Sequence, residues 1–141
     1  MNVNINDFIN LSGLANFALY FVGALVFLLV FKYVNLWVTP YDEWKLIKEA
    51  KNSAAAITLG GSLVGYSIAI SGVAASSVNF LDFCVWGVVG AITQFVAMLI
   101  VRKLFMPAFV ERIEKNEIPA AIVAAAFYIA IGVLNSACMS Y

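Results

Sequence analysis

Residues 39–72, TPYDEWKLIKEAKNSAAAITLGGSLVGYSIAISG, join a charged connector to an apolar run that is rich in small side chains. The apolar part extends from about Ser53 to Ala74, and a helix needs about 20 residues to cross the hydrocarbon core of a bilayer. The charged part is typical of a segment at the membrane surface. This stretch therefore predicts a spanning helix that is entered from a charged connector.

The whole chain has the composition of a membrane protein. Of its 141 residues, 64% are hydrophobic and 11% are charged, and the mean hydropathy is +0.96. Soluble domains carry about 25% charged residues. Apolar stretches use most of the chain and leave no room for a soluble domain. We predict an all-α polytopic membrane protein, one domain over residues 1–141, with four spans at about 14–38, 53–74, 83–105 and 119–139.

The charged and sulfur-containing residues exclude several functional classes. Eight basic and eight acidic residues give a net charge of zero, so the chain has no electrostatic footprint for nucleic acid. It has no histidine, which is the commonest general base and metal ligand. Cys84 and Cys138 are expected near the outer face, where they can form a disulfide or serve as small apolar fillers. We predict no catalytic residue, no cofactor and no metal site, and therefore no enzyme.

The positions of the charges predict the orientation. With four spans, every basic residue falls on one side of the membrane, and the other side carries only Asp7 and Asp82. Loops rich in Lys and Arg remain in the cytoplasm. We therefore expect cytoplasmic connectors and external termini. The basic residues are Lys32, Lys45, Lys48, Lys51, Arg102, Lys103, Arg112 and Lys115.

The first connector combines helix signals with an aromatic stripe. Thr39 is suited to the N-cap and Pro40 to the first helical turn. Tyr41, Trp44 and Ile47 recur at three-residue steps, a spacing that places them on one side of a helix. We predict an amphipathic helix on the membrane surface, and the alternative is a solvated charged turn. The charged residues assigned to its other sides are Asp42, Glu43, Lys45, Glu49 and Lys51.

The two halves of the chain resemble each other. Each consists of a span, a charged connector and a returning span, at about 14–74 and 83–139. Because each unit crosses the membrane twice, tandem copies point the same way. We predict two parallel hairpin repeats, and the alternative is convergence of membrane-type composition. The matching positions are Pro40 with Pro107, Lys48 with Lys115, Ala55–Ile57 with Ala120–Ile122, Gly61 with Ala126, Gly65 with Ala130, and Ser71 with Ser136.

Small residues in the second span predict close helix packing. Gly61, Gly65 and Ala69 stand four residues apart, and this spacing lets two helix backbones approach each other in a membrane. The repeat assigns Ala126 and Ala130 to the same role in the fourth span. Since four short spans bury limited area between helices, these faces also predict a homo-oligomer.

Uncharged polar residues within the spans are the candidates for a binding site or a pore. A buried amide or hydroxyl needs a hydrogen-bond partner. These side chains can line a polar path or join helices to each other, and we favour the second interpretation. No charged residue is expected at mid-membrane, which argues against an ion-coupled pump. The candidates are Thr58, Ser62 and Tyr66 in the second span, Gln94 in the third and Asn135 in the fourth.

Three stretches of the chain resemble a known family: residues 39–72, FMPAFVERIEKNEIPAAI at 105–122 and GVLNSACMSY at 132–141. Together they are similar to the bacterial "domain of unknown function 350" family of small inner-membrane proteins, also called uncharacterised protein family 0719. The resemblance implies four spans built from two copies of a short unit. It implies no reaction, substrate or catalytic residue. Genes for membrane-stress proteins of the phage-shock type and for amide-ligase-like enzymes often neighbour those of the family, which suggests envelope maintenance.

These observations lead to a functional hypothesis centred on the connectors, where nearly all of the charge lies. We predict a non-enzymatic, oligomeric envelope or membrane-stress-associated protein. It presents its cytoplasmic connectors to the lipid bilayer or to a cytoplasmic or membrane protein partner. The alternative is an oligomeric channel or small-solute transporter that uses the polar residues of the spans. The residues assigned to partner or surface contact are Trp44, Lys45, Lys48, Lys51, Arg112 and Lys115.

Overall fold

The computed structural model describes residues 11–38, 43–105 and 108–139. Within these ranges the chain is helical apart from short turns, and it contains no strand. Several residues of the predicted connectors and N-terminus lie outside the described residues: Asp7, Thr39, Pro40, Tyr41, Asp42 and Pro107. The helices are α1 (Leu11–Val38), α2 (Glu43–Lys48), α3 (Ser53–Ser76), α4 (Phe80–Ile100), α5 (Phe109–Glu114) and α6 (Ile118–Cys138), and a π-helical turn, Val101–Phe105, continues α4.

Four of the described helices are long and apolar enough to cross a membrane: α1, α3, α4 with its π-helical turn, and α6. They confirm the all-α, four-span prediction. The short helices α2 and α5 lie at one end of the bundle, the connector end, and the turn at residues 77–79 lies at the other, the loop end. α4 begins at Phe80 instead of the predicted 83, because the Asn79 side chain caps it by accepting a hydrogen bond from Asp82 N at 2.9 Å.

The centre of the bundle is a parallel contact between α3 and α6. It extends from Gly61 beside Ala125 to Gly72 beside Ser136, so residue numbers rise together along both helices. A Cβ atom placed on Gly61 would lie 2.5 Å from Ala125 Cα, closer than real Cβ atoms approach other atoms. Small side chains thus let the two backbones touch, which is the usual basis of helix association in membranes.

The same contact shows which residues of α6 meet α3. A Cβ atom placed on Gly132 would lie 2.6 Å from the carbonyl carbon of Gly65, so Gly132 belongs to the tightest part of the interface. Ala125 also faces α3, whereas Ala126 and Ala130 are exposed. Successive helical residues point about 100° apart around the axis. Ala126 and Ala130 therefore lie outside the side of α6 that meets α3.

Helix α1 lies at the periphery of the bundle. Only 6% of its most apolar window is buried, compared with 50% in α3. Its inner contacts are aromatic: the Phe31 ring stacks on Tyr66 with 4.4 Å between centroids and on Phe95 with 5.0 Å. Nearer the loop end, Phe27 packs edge-on against Phe83 at 5.6 Å. Most of α1 is therefore available to lipid or to another protein chain.

Candidate functional site at the connector end

The two connectors share one backbone plan. α2 and α5 are six-residue helices, and each is followed by a turn with one residue in the left-handed conformation, Lys51 (φ 51°) or Asn116 (φ 59°). The next residue, Asn52 or Glu117, stands at the N-cap of the long helix that follows. A left-handed residue lets the chain reverse sharply, at a steric cost for any side chain other than glycine. Each connector is therefore a compact reversal of the chain.

Asn52 and Asn116 join the two connectors. Asn52 Nδ2 donates hydrogen bonds to the last two carbonyls of α5 at 2.8 and 3.3 Å, and its Oδ1 accepts one from Ala55 N at 2.9 Å. In return, Ala54 N donates to Asn116 Oδ1 at 2.9 Å. Helix ends leave such backbone groups without partners inside the helix. One asparagine thus caps both the start of α3 and the end of α5, and the connectors form one surface.

Neither asparagine stands out by composition or hydrophobic periodicity. The signal that identifies them is a Lys-Asn pair shortly before the second span and again before the fourth, Lys51-Asn52 and Lys115-Asn116. Asparagine tolerates left-handed backbone and is among the best N-cap residues, so it serves two different purposes in the two turns. The sequence does not show that the two turns lie close together. Only the contact between α3 and α6 brings them together.

Glu43 is a buried acidic residue at the connector end. It is 2% exposed and lies on the inner side of α2 with the partly buried Leu46 and Ile47. Arg102, from the π-helical turn, and the fully buried Tyr128 interact with it electrostatically. Burial raises the pKa of Glu43 to about 7, although the Arg102 guanidinium opposes this rise. A carboxyl group that titrates near neutral pH therefore lies against the base of the bundle.

The orientation of α2 differs from the predicted one. The aromatic spacing assigns Trp44 to the apolar side and Glu43 to a solvated side, but Trp44 is 37% exposed and Glu43 is enclosed. The reason is that Leu46 and Ile47 face the bundle, and Glu43 stands three and four residues before them on the same side of the helix. This spacing is visible in the sequence and was the signal for a buried Glu43.

The uncharged polar residues of the spans are turned into the bundle. All five candidates are buried. Three of them donate hydrogen bonds to carbonyls of a neighbouring helix, so these donors are paired inside the bundle. These bonds are Tyr66 OH to Gly87 O at 2.9 Å, Gln94 Nε2 to Tyr128 O at 3.3 Å, and Asn135 Nδ2 to Gly90 O at 3.3 Å.

The other two candidates bond within α3. Thr58 Oγ1 donates to Ala54 O and Ser62 Oγ to Leu59 O, each at 2.8 Å. Ser62 Oγ also accepts a hydrogen bond from Asn35 Nδ2 of α1 at 3.1 Å, which adds a polar link to the aromatic contacts of that helix. The Thr58, Ser62 and Tyr66 stripe therefore faces protein within the monomer.

The six residues assigned to surface contact all lie at the connector end, but their surroundings differ. On α2, the Trp44 ring has two ammonium groups near it, Lys32 Nζ at 3.9 Å and Lys48 Nζ at 5.2 Å from the ring centroid. On α5, Arg112 pairs with Glu117 at 3.7 Å, and exposure of 42% and 44% makes this a weak pair. The remaining members, Lys45, Lys51 and Lys115, are exposed.

The described part of the chain offers little for metal or redox chemistry. No group of three or more His, Cys, Asp or Glu side chains within it could hold a metal ion, and Cys84 and Cys138 are free thiols. Three grooves beside α1, of about 680, 420 and 250 Å³, have mostly apolar linings. Of the polar candidates in the spans, Tyr66 alone borders one of these three grooves.

Comparison with known proteins places these features in a family context. The family model described as Domain of Unknown Function (DUF350) matches residues 8–139. The chain is similar to the UPF0719 inner membrane protein YjfL of Escherichia coli (strain K12), with 33% identity over 131 residues that cover 93% of this chain and 98% of the relative. The protein of the same name from Escherichia coli O157:H7 matches equally well. No solved structure matches the chain.

Proposed function

This chain belongs to the DUF350 family, as the three stretches of its sequence predict, and we propose that it acts through its joined connectors. It is a multi-pass inner-membrane protein with four apolar helices. In the proposed function it is non-enzymatic and oligomeric, and it serves in the envelope or in the response to membrane stress. The connector surface contacts the membrane surface or a protein partner on the cytoplasmic side.

The joined connectors are the observation that carries this proposal. Asn52 and Asn116 tie α2 and α5 together with hydrogen bonds that also cap α3 and α5. The resulting surface exposes Lys45, Lys51 and Lys115. By contrast, the polar candidates of the spans use their donors on carbonyls inside the bundle. Among the described residues, the exposed charged side chains are thus concentrated at the connector end.

The orientation follows from the same basic residues. All eight Lys and Arg residues of the chain belong to the connectors or to the span ends beside them. Loops with such an excess stay on the cytoplasmic side during insertion. The connector surface is then cytoplasmic, and both termini are periplasmic.

Two hairpin repeats explain the common plan of the connectors. Both halves have a long helix, a six-residue helix, a left-handed residue, a capping position and a second long helix. Lys51 and Asn116 take the left-handed position, and Ala55 and Ala120 follow it at the same distance. This agreement supports parallel duplication with the alignment of the second and fourth spans.

Exposed small residues support an oligomer. Ala126 and Ala130 stand four residues apart on the exposed side of α6, a spacing that favours contact between membrane helices. The peripheral α1 offers a second apolar face. We expect these faces to pack between subunits, which would give Ala126 and Ala130 the packing role assigned by the repeat.

Charge reversal on the first connector tests the proposed function. Lys45, Lys48 and Lys51 are changed together to Glu, and a photo-reactive amino acid at Glu49 reports proteins that touch the connector in intact cells. We expect the specific cross-link to be lost while membrane insertion, measured by protease protection, is unchanged. Replacing the same lysines with Arg keeps the charge and should keep the cross-link. A cross-link of unchanged yield in the Glu variant would count against the proposal.

A channel or small-solute transporter has less support. Its predicted lining, Thr58, Ser62, Tyr66 and Gln94, is buried within one monomer. Solute flux in liposomes that is abolished by Tyr66→Phe with Gln94→Leu would favour it over the connector hypothesis.

A further inference from the structure

We propose that Lys32, Trp44 and Lys48 form a binding site for the headgroup of an anionic phospholipid, at the junction of α1 and α2. The site deepens the proposed function, on which it rests for the contact between the first connector and the membrane surface. It assigns that contact to one corner of the molecule and to one chemical class of ligand. Lys32 is not among the six surface residues predicted from the sequence, and the sequence does not show that it lies close to Trp44.

The geometry brings two cations to one aromatic ring. Lys32 comes from α1 and Lys48 from α2, yet their ammonium nitrogens lie 3.9 and 5.2 Å from the centroid of the Trp44 ring. An ammonium group over an indole face gains about 0.5–1 kcal/mol at exposed sites. The two lysines belong to different helices, so the positive charge beside the Trp44 ring does not depend on a single flexible side chain.

No carboxylate among the described residues neutralises the two charges. Among the described residues, neither ammonium forms an ion pair with a carboxylate. Glu43, the acid nearest to Trp44 in the sequence, is turned to the inner side of α2 and is 2% exposed. Two like charges held near one ring repel each other unless an anion lies between them. A phosphate group has the charge and the acceptor oxygens to bridge both ammonium groups.

The depth of the site suits a lipid headgroup. Lys32 lies on the apolar helix α1, about two turns before its end at Val38, where a lysine can extend to the headgroup region. Tyr33 is 65% exposed and Trp37 is 85% exposed in the same two turns. Aromatic side chains collect at this level of a bilayer. The site is thus at the boundary where the phosphates of phospholipids lie.

The second hairpin shows that this arrangement is not a general property of the connectors. On α5, Arg112 pairs with Glu117, and Glu111 and Glu114 are exposed beside it. The exposed acids there offset the basic residues. The corner of α1 and α2 has the complementary charge for an anionic lipid, whereas α5 does not.

Lipid retention by the full-length protein tests the site. Detergent-solubilised protein is titrated with phosphatidylglycerol or with phosphatidylcholine of the same acyl chains, and bound lipid is counted by native mass spectrometry. We expect a preference for phosphatidylglycerol. Lys32→Gln with Lys48→Gln should reduce it about 30-fold, or about fivefold for each lysine, the typical effect of one basic residue near an anionic surface. Lys32→Arg with Lys48→Arg should retain it.

Matched controls separate this site from other basic residues and from the proposed function. Lys103→Gln removes an exposed lysine at the connector end that forms no cation–π contact among the described residues, and it should leave the preference unchanged. Equal retention of both lipids, an unchanged preference in the Lys32/Lys48 variant, or displacement of the lipid by millimolar inorganic phosphate would overturn the site. Lys32→Gln alone tests it independently of the partner cross-link, because the charge-reversal variant leaves Lys32 intact.

Discussion

The two connectors have the same backbone plan, but their short helices are held against the bundle by different kinds of side chain. The inner side of α5 is apolar: Phe109 and Ile113 are 2% and 0% exposed and belong to the core between α3 and α6. The inner side of α2 begins with Glu43, which is buried to the same degree. One connector is therefore held by apolar burial, which does not depend on pH. The other is held partly through a carboxyl group that can ionise.

This difference shows how two connectors with the same backbone plan can differ in one titratable side chain. In both connectors the short helix, the left-handed residue and the cap fix the backbone. The side chains on the inner face then decide whether docking is permanent or conditional. Since Glu43 interacts electrostatically with Arg102 and Tyr128, a change in its ionisation also affects the helices of the second hairpin.

The largest expected effect concerns what the two hairpins share, the α3–α6 contact. Gly132→Val places side-chain atoms where Gly65 backbone already lies. Because backbone cannot move aside as a side chain can, we expect destabilisation of about 3 kcal/mol or more. Thermal unfolding of the purified protein in detergent measures the loss. Gly60→Ala is the control, since a Cβ atom there meets nothing within 4 Å; equal stability of both variants would contradict the close contact.

The next effect is a pH dependence of stability that is expected for the first connector and not for the second. Folding raises the pKa of Glu43 from 4.5 to about 7, so the native state binds the proton more tightly than the unfolded state. The stability from this group is fully present below about pH 4.5 and is lost as the pH rises to about 7. We expect wild-type protein to lose about 2 to 3 kcal/mol more than Glu43→Gln between pH 5 and 8.

Glu49→Gln is the matched control for this pH dependence. Glu49 is exposed and directly follows α2, so its removal should leave the pH dependence of wild-type protein unchanged. Denaturation curves at each pH give the free energies. If Glu43→Gln and wild-type protein lose stability in parallel, then Glu43 is not the group that makes α2 different from α5.

A smaller effect is expected at the link between the connectors. Asn52→Ala removes the cap of α3 and the bonds to the end of α5, and we expect a loss of about 2 kcal/mol. Asn79→Ala removes a cap at the loop end that bonds only within its own helix. This variant should therefore lose about 1 kcal/mol of stability. Unfolding in detergent compares the two variants. A smaller loss for Asn52→Ala than for Asn79→Ala would show that the link contributes little.

The sequence predicts those parts of the structure that depend on local pattern. Four apolar runs of spanning length predict the four helices, and the GxxxG of Gly61 and Gly65 predicts a close backbone contact in the second span. Polar residues such as Gln94 and Asn135 are expected to need partners inside the bundle, because a lone amide is costly in hydrocarbon. These inferences need no knowledge of which helices meet.

Other features depend on distant contacts and do not follow from local pattern. The partner of Gly61 is Ala125, and the rotation of α6 that exposes Ala126 is set by the whole α3–α6 interface. The burial of Glu43 depends on both: its spacing to Leu46 and Ile47 is visible in the sequence, but only the docking of these two residues against the bundle turns Glu43 inward. The Lys32 contact with Trp44 likewise requires α1 and α2 to meet at a known angle.

The most direct test of the difference between the connectors is amide hydrogen exchange of the protein in lipid nanodiscs at pH 5 and pH 8, corrected for the intrinsic exchange rate. We predict that protection of residues 43–48 falls about 50-fold relative to that of residues 109–114, as the shift in pKa of Glu43 requires. In Glu43→Gln the two segments should keep a constant ratio. Equal changes in both segments of the wild-type protein, or a persistent difference in Glu43→Gln, would contradict conditional docking of the first connector.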